Sequence, residues 1–216
     1  MLDTTSTLDG QADEFFLDTP EVRAFVADVR RTLAEHADVL AGLVALRSRF
    51  AALLADQAWL PDAFAAPYAA SGMGGGIATW LIFRAADRSL SLFSLVVPPG
   101  AATPIHDHLA WGFVGLYRGE QAETVYQRTD DGMQDDRATL DVAQINALRP
   151  GDFYTLLPPD GDIHAVRTTS AEPSISIHLL ANDTGCVLRH AFDPDRAQVR
   201  PFRSGYSNVA CAADDR

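Results

Sequence analysis

The chain has 216 residues, 47% of them hydrophobic and 21% charged, which is ordinary for one soluble domain with appendages or at most two small domains. A formal net charge of −12 argues against a role on nucleic acid or an anionic membrane, both of which need a basic footprint. The two cysteines, Cys186 and Cys211, are too few for a disulfide framework; two free thiols in a reducing cytosol are expected, with a pairing between the two as the alternative.

Residues 1–18 are polar and lack both periodicity and the basic and apolar regions of a signal peptide. They are expected to be mobile, and the protein to be cytoplasmic. No apolar run approaches the ~18 residues of a membrane span. Thr19-Pro20-Glu21 reads as a helix start, with Thr as cap and Pro at the first helical position. Val22, Phe25, Val26, Val29 and Leu33 then form one apolar face. Asp38 is placed to cap a second helix with Val39, Leu40, Leu43, Val44, Phe50, Leu53 and Leu54 as its buried side. Trp59-Leu60-Pro61 closes the helical segment, 19–70.

From residue 71 the texture changes to short runs rich in Val, Ile, Thr and aromatics, broken by Pro, Gly and Asp. Strands are predicted near 77–84, 90–97, 111–118, 122–128, 139–146, 153–157, 163–169, 174–181 and 187–192, the pattern of an all-β sandwich or barrel over 71–200. The Gly-rich stretch 72–76 lacks the pattern and following helix of a phosphate loop and reads as a connector. Residues 201–216 read as a polar, peripheral tail.

Of the six histidines, His106, His108, His164 and His178 fall in strand-and-turn contexts within 75 residues. His106 and His108, at i and i+2 of an extended segment, point to one face and can converge on one ion. The segment Gly151-Asp152-Phe153-Tyr154-Thr155-Leu156-Leu157-Pro158-Pro159-Asp160-Gly161-Asp162-Ile163-His164 adds a turn followed by one histidine. Together they resemble the two cupin motifs, Gly-x5-His-x-His and Gly-x6-Pro-x2-Gly-x2-His, the second with one more residue before its Pro than is common. The resemblance implies a mainly β fold, a double-stranded β-helix barrel with an N-terminal helical segment, in which His106, His108 and His164 hold a metal. Imidazole alone does not choose among iron, zinc, copper and nickel. Where most metal cupins carry a fourth, glutamate ligand, this chain has Gly112 and Phe113; the nearest glutamate, Glu120, lies beyond the strand.

The run PIHDHLAWGFVGLYRGEQAETVYQR resembles the bacterial branch of the cysteine dioxygenase family, which includes 3-mercaptopropionate dioxygenases; the similarity spans roughly residues 20–195. The resemblance implies Fe(2+), dioxygen and oxidation of a small thiol or thione to a sulfinate. Of the family's Ser-x-His-x-Tyr triad, Ser176 and His178 are present as catalytic candidates, and Leu180 stands at the Tyr position. Tyr154, Tyr117 and Tyr126 are candidates to supply the hydroxyl from another strand, Tyr154 being expected at the substrate. Counted without gaps from His106, the carboxylate-binding Arg of mammalian-type enzymes falls on Trp80, and the crosslinking Cys has no counterpart. Arg189 matches the Arg of the bacterial enzymes, and its planar fork suits a carboxylate. Arg189 without the Tyr fits a small mercaptocarboxylate; Trp80 and Leu180 instead make room for a bulkier thione such as ergothioneine, with Trp80 stacking on it or taking its cation. The alternatives are another cupin dioxygenase or isomerase, and a non-enzymatic metal-binding or sensing cupin.

Overall fold

The computed structural model describes residues 12–70 and 72–212. Helix α1, Pro20–Glu35, begins where expected: Thr19 Oγ1 accepts from the Val22 N–H at 3.3 Å. Helix α2, Val39–Ala55, is capped by Asp38, which accepts from the Ala41 N–H at 2.9 Å. Its buried side is Leu43, Leu46, Phe50, Leu53 and Leu54, whereas Val39, Leu40 and Val44 are exposed. Val39 and Leu40 lie in the first turn of the helix, ahead of Gly42, its first buried residue.

Twelve strands follow or precede these helices: β1 Glu14–Phe15, β2 Ala78–Arg84, β3 Ser91–Val97, β4 Ile105–His106, β5 Gly112–Arg118, β6 Gln121–Arg128, β7 Leu140–Leu148, β8 Phe153–Leu156, β9 Ile163–Thr168, β10 Ser174–Leu180, β11 Arg189–Asp193 and β12 Gln198–Phe202. They form two six-stranded sheets, ordered β1-β2-β3-β10-β5-β8 and β12-β11-β4-β9-β6-β7, with antiparallel ladders. This is a cupin β-barrel carrying N-terminal helices. No helix among the described residues is long and apolar enough to cross a membrane.

Alternation along the first sheet decides what lies inside. Cross-strand partners share a face, so the row Leu81, Phe93, His178, Val114, Tyr154 faces the barrel interior, beside Thr79, Leu95, Ser176 and Leu116. The intervening row, Trp80, Ser94, Ile177, Gly115 and Phe153, faces outward. The helices cover that outer side. A Cβ at Gly115 would sit 2.5 Å from Leu54 and 2.8 Å from Phe50, so the missing side chain is what lets α2 reach the sheet. Phe50 then stacks on Phe113 and meets Phe153 edge-on.

The ends of the chain are more structured than the sequence suggested. Of the segment expected to be mobile, residues 1–11 lie outside the described residues, but Glu14 and Phe15 pair with β2, and Glu14 bonds Arg84. Tail residues 213–216 also lie outside, whereas β12 runs to Phe202 and residues 203–212 strap the barrel mouth. Ser207 donates to the Thr79 carbonyl at 2.7 Å and accepts from its N–H at 3.1 Å; Asn208 brackets Leu81 in the same way. The Tyr206 hydroxyl donates to buried Asp183 and accepts from the Gly185 N–H. Its ring lies where a Cβ on Gly185 would be.

The expectation of two free thiols is overturned: Cys186 and Cys211 form a disulfide, their Cα atoms 5.3 Å apart. Sequence separation hid the pairing; the strap folding back over the 182–186 loop creates it. The bridge spans 25 residues, for which loop closure contributes about 3 kcal/mol. Cys211→Ser, or reduction of the wild type, should therefore lower the unfolding free energy by about that amount. Urea unfolding with and without reductant measures it; superimposable curves would show that the bridge adds nothing.

Candidate metal centre

His106 and His164 are direct cross-strand partners on β4 and β9, a placement that brings Cβ atoms to about 5 Å. His108, two residues on, returns to the same face. The ladder ends at His106, so His108 is not held by strand pairing. Asp162 holds it instead, accepting from the N–H groups of His108 and Leu109, each at 3.0 Å. One ligand atom from each of the three imidazoles lies within 4.8 Å of the others, and all three residues are buried.

The far side of each ring decides which nitrogen is available. Nδ1 of His106 donates to the Pro104 carbonyl at 2.9 Å, that of His108 to Asp162 at 3.2 Å and that of His164 to Glu123 at 2.7 Å. A carbonyl and two carboxylates only accept, so Nδ1 carries the proton and Nε2 keeps its lone pair. Burial first, then Arg189 and the neighbouring imidazoles, hold His106 and His108 well below the ordinary histidine value. Three neutral imidazole donors with oriented outer partners fit a divalent transition metal. Among the described residues no carboxylate joins the cluster. The barrel is a cupin fold with a three-histidine face built to hold a metal.

His178 looks across the interior from the other sheet, its ring 6.3 Å from that of His108 and stacked on Phe93 at 4.6 Å. A 2.9 Å hydrogen bond joins its Nε2 to Ser176 Oγ. Among the described residues its Nδ1 has no hydrogen-bond partner, and burial, then His164 and Arg189, pushes its pKa down to about 3. Leu180 lies in the apolar wall with Leu81, Phe93 and Val114. Arg189 also faces inward, with 3% of its surface exposed. Its guanidinium donates to the carbonyls of Asp107 (2.6 Å) and Thr184 (3.3 Å) and to Ser204 Oγ (2.9 Å), and among the described residues no carboxylate lies within ion-pair distance. Burial pulls its pKa down to about 10, against the attraction of Asp107. His106, His108, His178, Arg189, Thr79 and Ser204 line one cleft with Met73, Phe93, Leu95, Thr103 and Thr184; its free volume of ≈ 20 Å³ is room for about one water.

Two candidates do not belong to that cleft. Trp80 faces outward, its Nε1 donating to the Ala66 carbonyl at 2.8 Å and its ring meeting Tyr68 edge-on. An ungapped count put it at the substrate, but it is one residue off the inward parity that Thr79 and Leu81 hold. Tyr154 faces inward yet stands behind His164, its hydroxyl 3.2 Å from Nδ1, rather than in the cleft. Tyr117 packs on Trp59 under the helices, and Tyr126 lines a separate groove with Arg128 and Asp160; among the described residues no tyrosine lines the cleft itself.

The sequence reading missed Glu123, Asp162 and Thr79. Glu123 had a signal, an acidic residue at an inward position of the alternating strand Gln121–Arg128, whereas attention to a fourth ligand stopped at Glu120. Asp162 lies within the second histidine motif.

No family model matches the sequence. Solved structures similar to it include the cupin domain of Schizosaccharomyces pombe Cnp3 (15% identity, 49% of this chain and 61% of that one, TM-score 0.37) and Lactobacillus farciminis oxalate decarboxylase in complex with formate (16%, 44% and 25%, 0.34). A cupin domain of an XRE-family transcriptional regulator from Enterobacter cloacae is a third (20%, 48% and 94%, 0.33). The match spans a quarter of the decarboxylase, and all three scores are below 0.5; the fold rests on the strand order described above.

His106→Ala, His108→Ala or His164→Ala should each strip most of the metal from a folded barrel. Glu123→Gln should weaken metal affinity by about ten- to a hundred-fold, because the His164 ring loses its anionic acceptor. Metal titration followed by elemental analysis reads both effects; full occupancy in a histidine variant would remove that residue from the ligand set.

Proposed function

We propose that this protein is an Fe(2+)-dependent thiol dioxygenase acting on a small mercaptocarboxylate. The observation that carries the reading is Arg189, a buried cation beside the three-histidine face whose hydrogen-bond partners among the described residues are all neutral. A buried charge without a counter-charge is costly, and an incoming carboxylate supplies one in a geometry the planar guanidinium matches. His106, His108 and His164 would hold the iron, which would supply the chemistry for adding dioxygen to the thiol sulfur.

The chain's own residues supply the rest. Glu123 and Asp162, behind the ligands, offset part of a divalent ion's charge and fix ring orientation. Ser176 and His178 present a hydrogen-bonding pair opposite the ligands, and Phe93, Leu95 and Leu180 keep that side apolar. The placement of Trp80 outside the barrel removes the platform for a bulky thione. The cleft favours a small ligand too. Entry would require outward movement of Met73 and Ser204, which sit on the connector and the strap.

Purified protein should contain iron and consume oxygen with 3-mercaptopropionate in preference to cysteine or ergothioneine. An oxygen electrode with product analysis decides this, and iron without thiol-dependent oxygen uptake would return the choice to another cupin enzyme or a sensor. Arg189→Lys keeps the charge but loses the fork and should raise KM by about ten-fold. Trp80→Ala should instead leave KM near the wild-type value and lower stability by about 2 kcal/mol through lost packing; a large rise in KM would bring Trp80 back to the substrate.

A further inference from the structure

Among the described residues three buried side-chain atoms lack a hydrogen-bond partner: Tyr117 Oη, His178 Nδ1 and Thr79 Oγ1. Tyr117 lies on the helix side, but the other two residues line the metal cleft. Thr79 is 3% exposed, and the apolar side chains of Phe93, Leu95 and Met73 line the cleft with it. It shares the inward row with Leu95 and Ser176. A hydroxyl held in such surroundings without a partner costs free energy that a bound acceptor would recover.

The strap relates Thr79 to Arg189. Ser204 accepts from the guanidinium, and Ser207 clasps the Thr79 backbone from both sides. Three Cα-to-Cα steps separate these two anchor points, about 10 Å at full stretch, so the two walls are pinned within reach of one small ligand. Arg189 has five N–H groups; three meet Asp107, Thr184 and Ser204, which leaves two for the cleft. We infer that Thr79 is a second anchor for the substrate carboxylate, donating its hydroxyl to one oxygen while Arg189 holds the group from the opposite wall. This rests on the mercaptocarboxylate reading and adds to it a specificity-determining residue. An ammonium group is disfavoured at the same place, since it would lie beside a buried guanidinium.

The test is calorimetric titration of the iron-loaded, full-length protein without oxygen. The ligands are 3-mercaptopropionate and 2-mercaptoethanol, which keeps the thiol and lacks the carboxylate. Wild type should prefer the acid, and Thr79→Val, nearly isosteric and at home on a strand, should reduce that preference by about ten-fold or more. Thr79→Ser, which keeps the hydroxyl, should restore most of it; Thr79→Ala is the second hydroxyl-free variant should the valine variant fail to fold. A wild-type preference retained in the hydroxyl-free variants would overturn the role of Thr79. A preference lost on hydroxyl removal, with no oxygen uptake by wild type, would support the carboxylate site and overturn thiol oxidation. Equal binding of the two thiols by wild type would overturn the site itself.

Discussion

The 2.7 Å contact between His164 Nδ1 and Glu123, sealed from solvent, fixes more of the site than any other single interaction. Desolvation opposes the Glu123 charge, yet bonds from His164, Tyr154 and Asn146 hold its pKa below the usual carboxylate range. An ionised acceptor forces the proton onto Nδ1 and so turns the Nε2 lone pair toward His106 and His108. Asp162 does the same for His108 and doubles as the brace for the backbone that carries it. The remaining imidazole needs only the Pro104 carbonyl, because β4 already sets its position. Three rings can crowd together because all their protons point outward.

This arrangement separates charges of opposite sign around the three histidines. The two carboxylates lie behind the ligands, where they act on a metal through the rings, while Arg189 lies in front among neutral acceptors. The interior is thus polarised, with fixed negative charge behind the three histidines and fixed positive charge in front of them. Phe93 and Leu180 keep the opposing wall dry, which strengthens both fields.

Much of this was legible in the residues. Spacing of Gly, Pro and His announced the three ligands and the barrel, because those motifs encode turns and inward parity at once. Ser176 and His178 were placed by the same period of two. Trp80 was misplaced because a count without gaps preserves number but not parity, and parity is what separates barrel interior from helix-covered surface. The strands β1, β4 and β12 went unseen for a different reason: two are only two residues long, and all three exist through tertiary pairing rather than through an apolar pattern. The disulfide and the strap were invisible because they depend on contacts more than twenty residues apart in a polar segment.

The strap has a consequence for how the molecule lives in a crowded solution. β1 pairs only with residues 83 and 84 of β2, so the edge from Thr79 to Leu81 would otherwise present two N–H and two C=O groups to any passing strand. Ser207 and Asn208 occupy all four. The last described residues therefore serve as a selvedge, finishing a sheet margin that would be a template for strand addition. A chain shortened before Ser207 would keep every metal ligand and every residue proposed to touch substrate. It would expose that margin beside the cleft, and its failure would show as self-association.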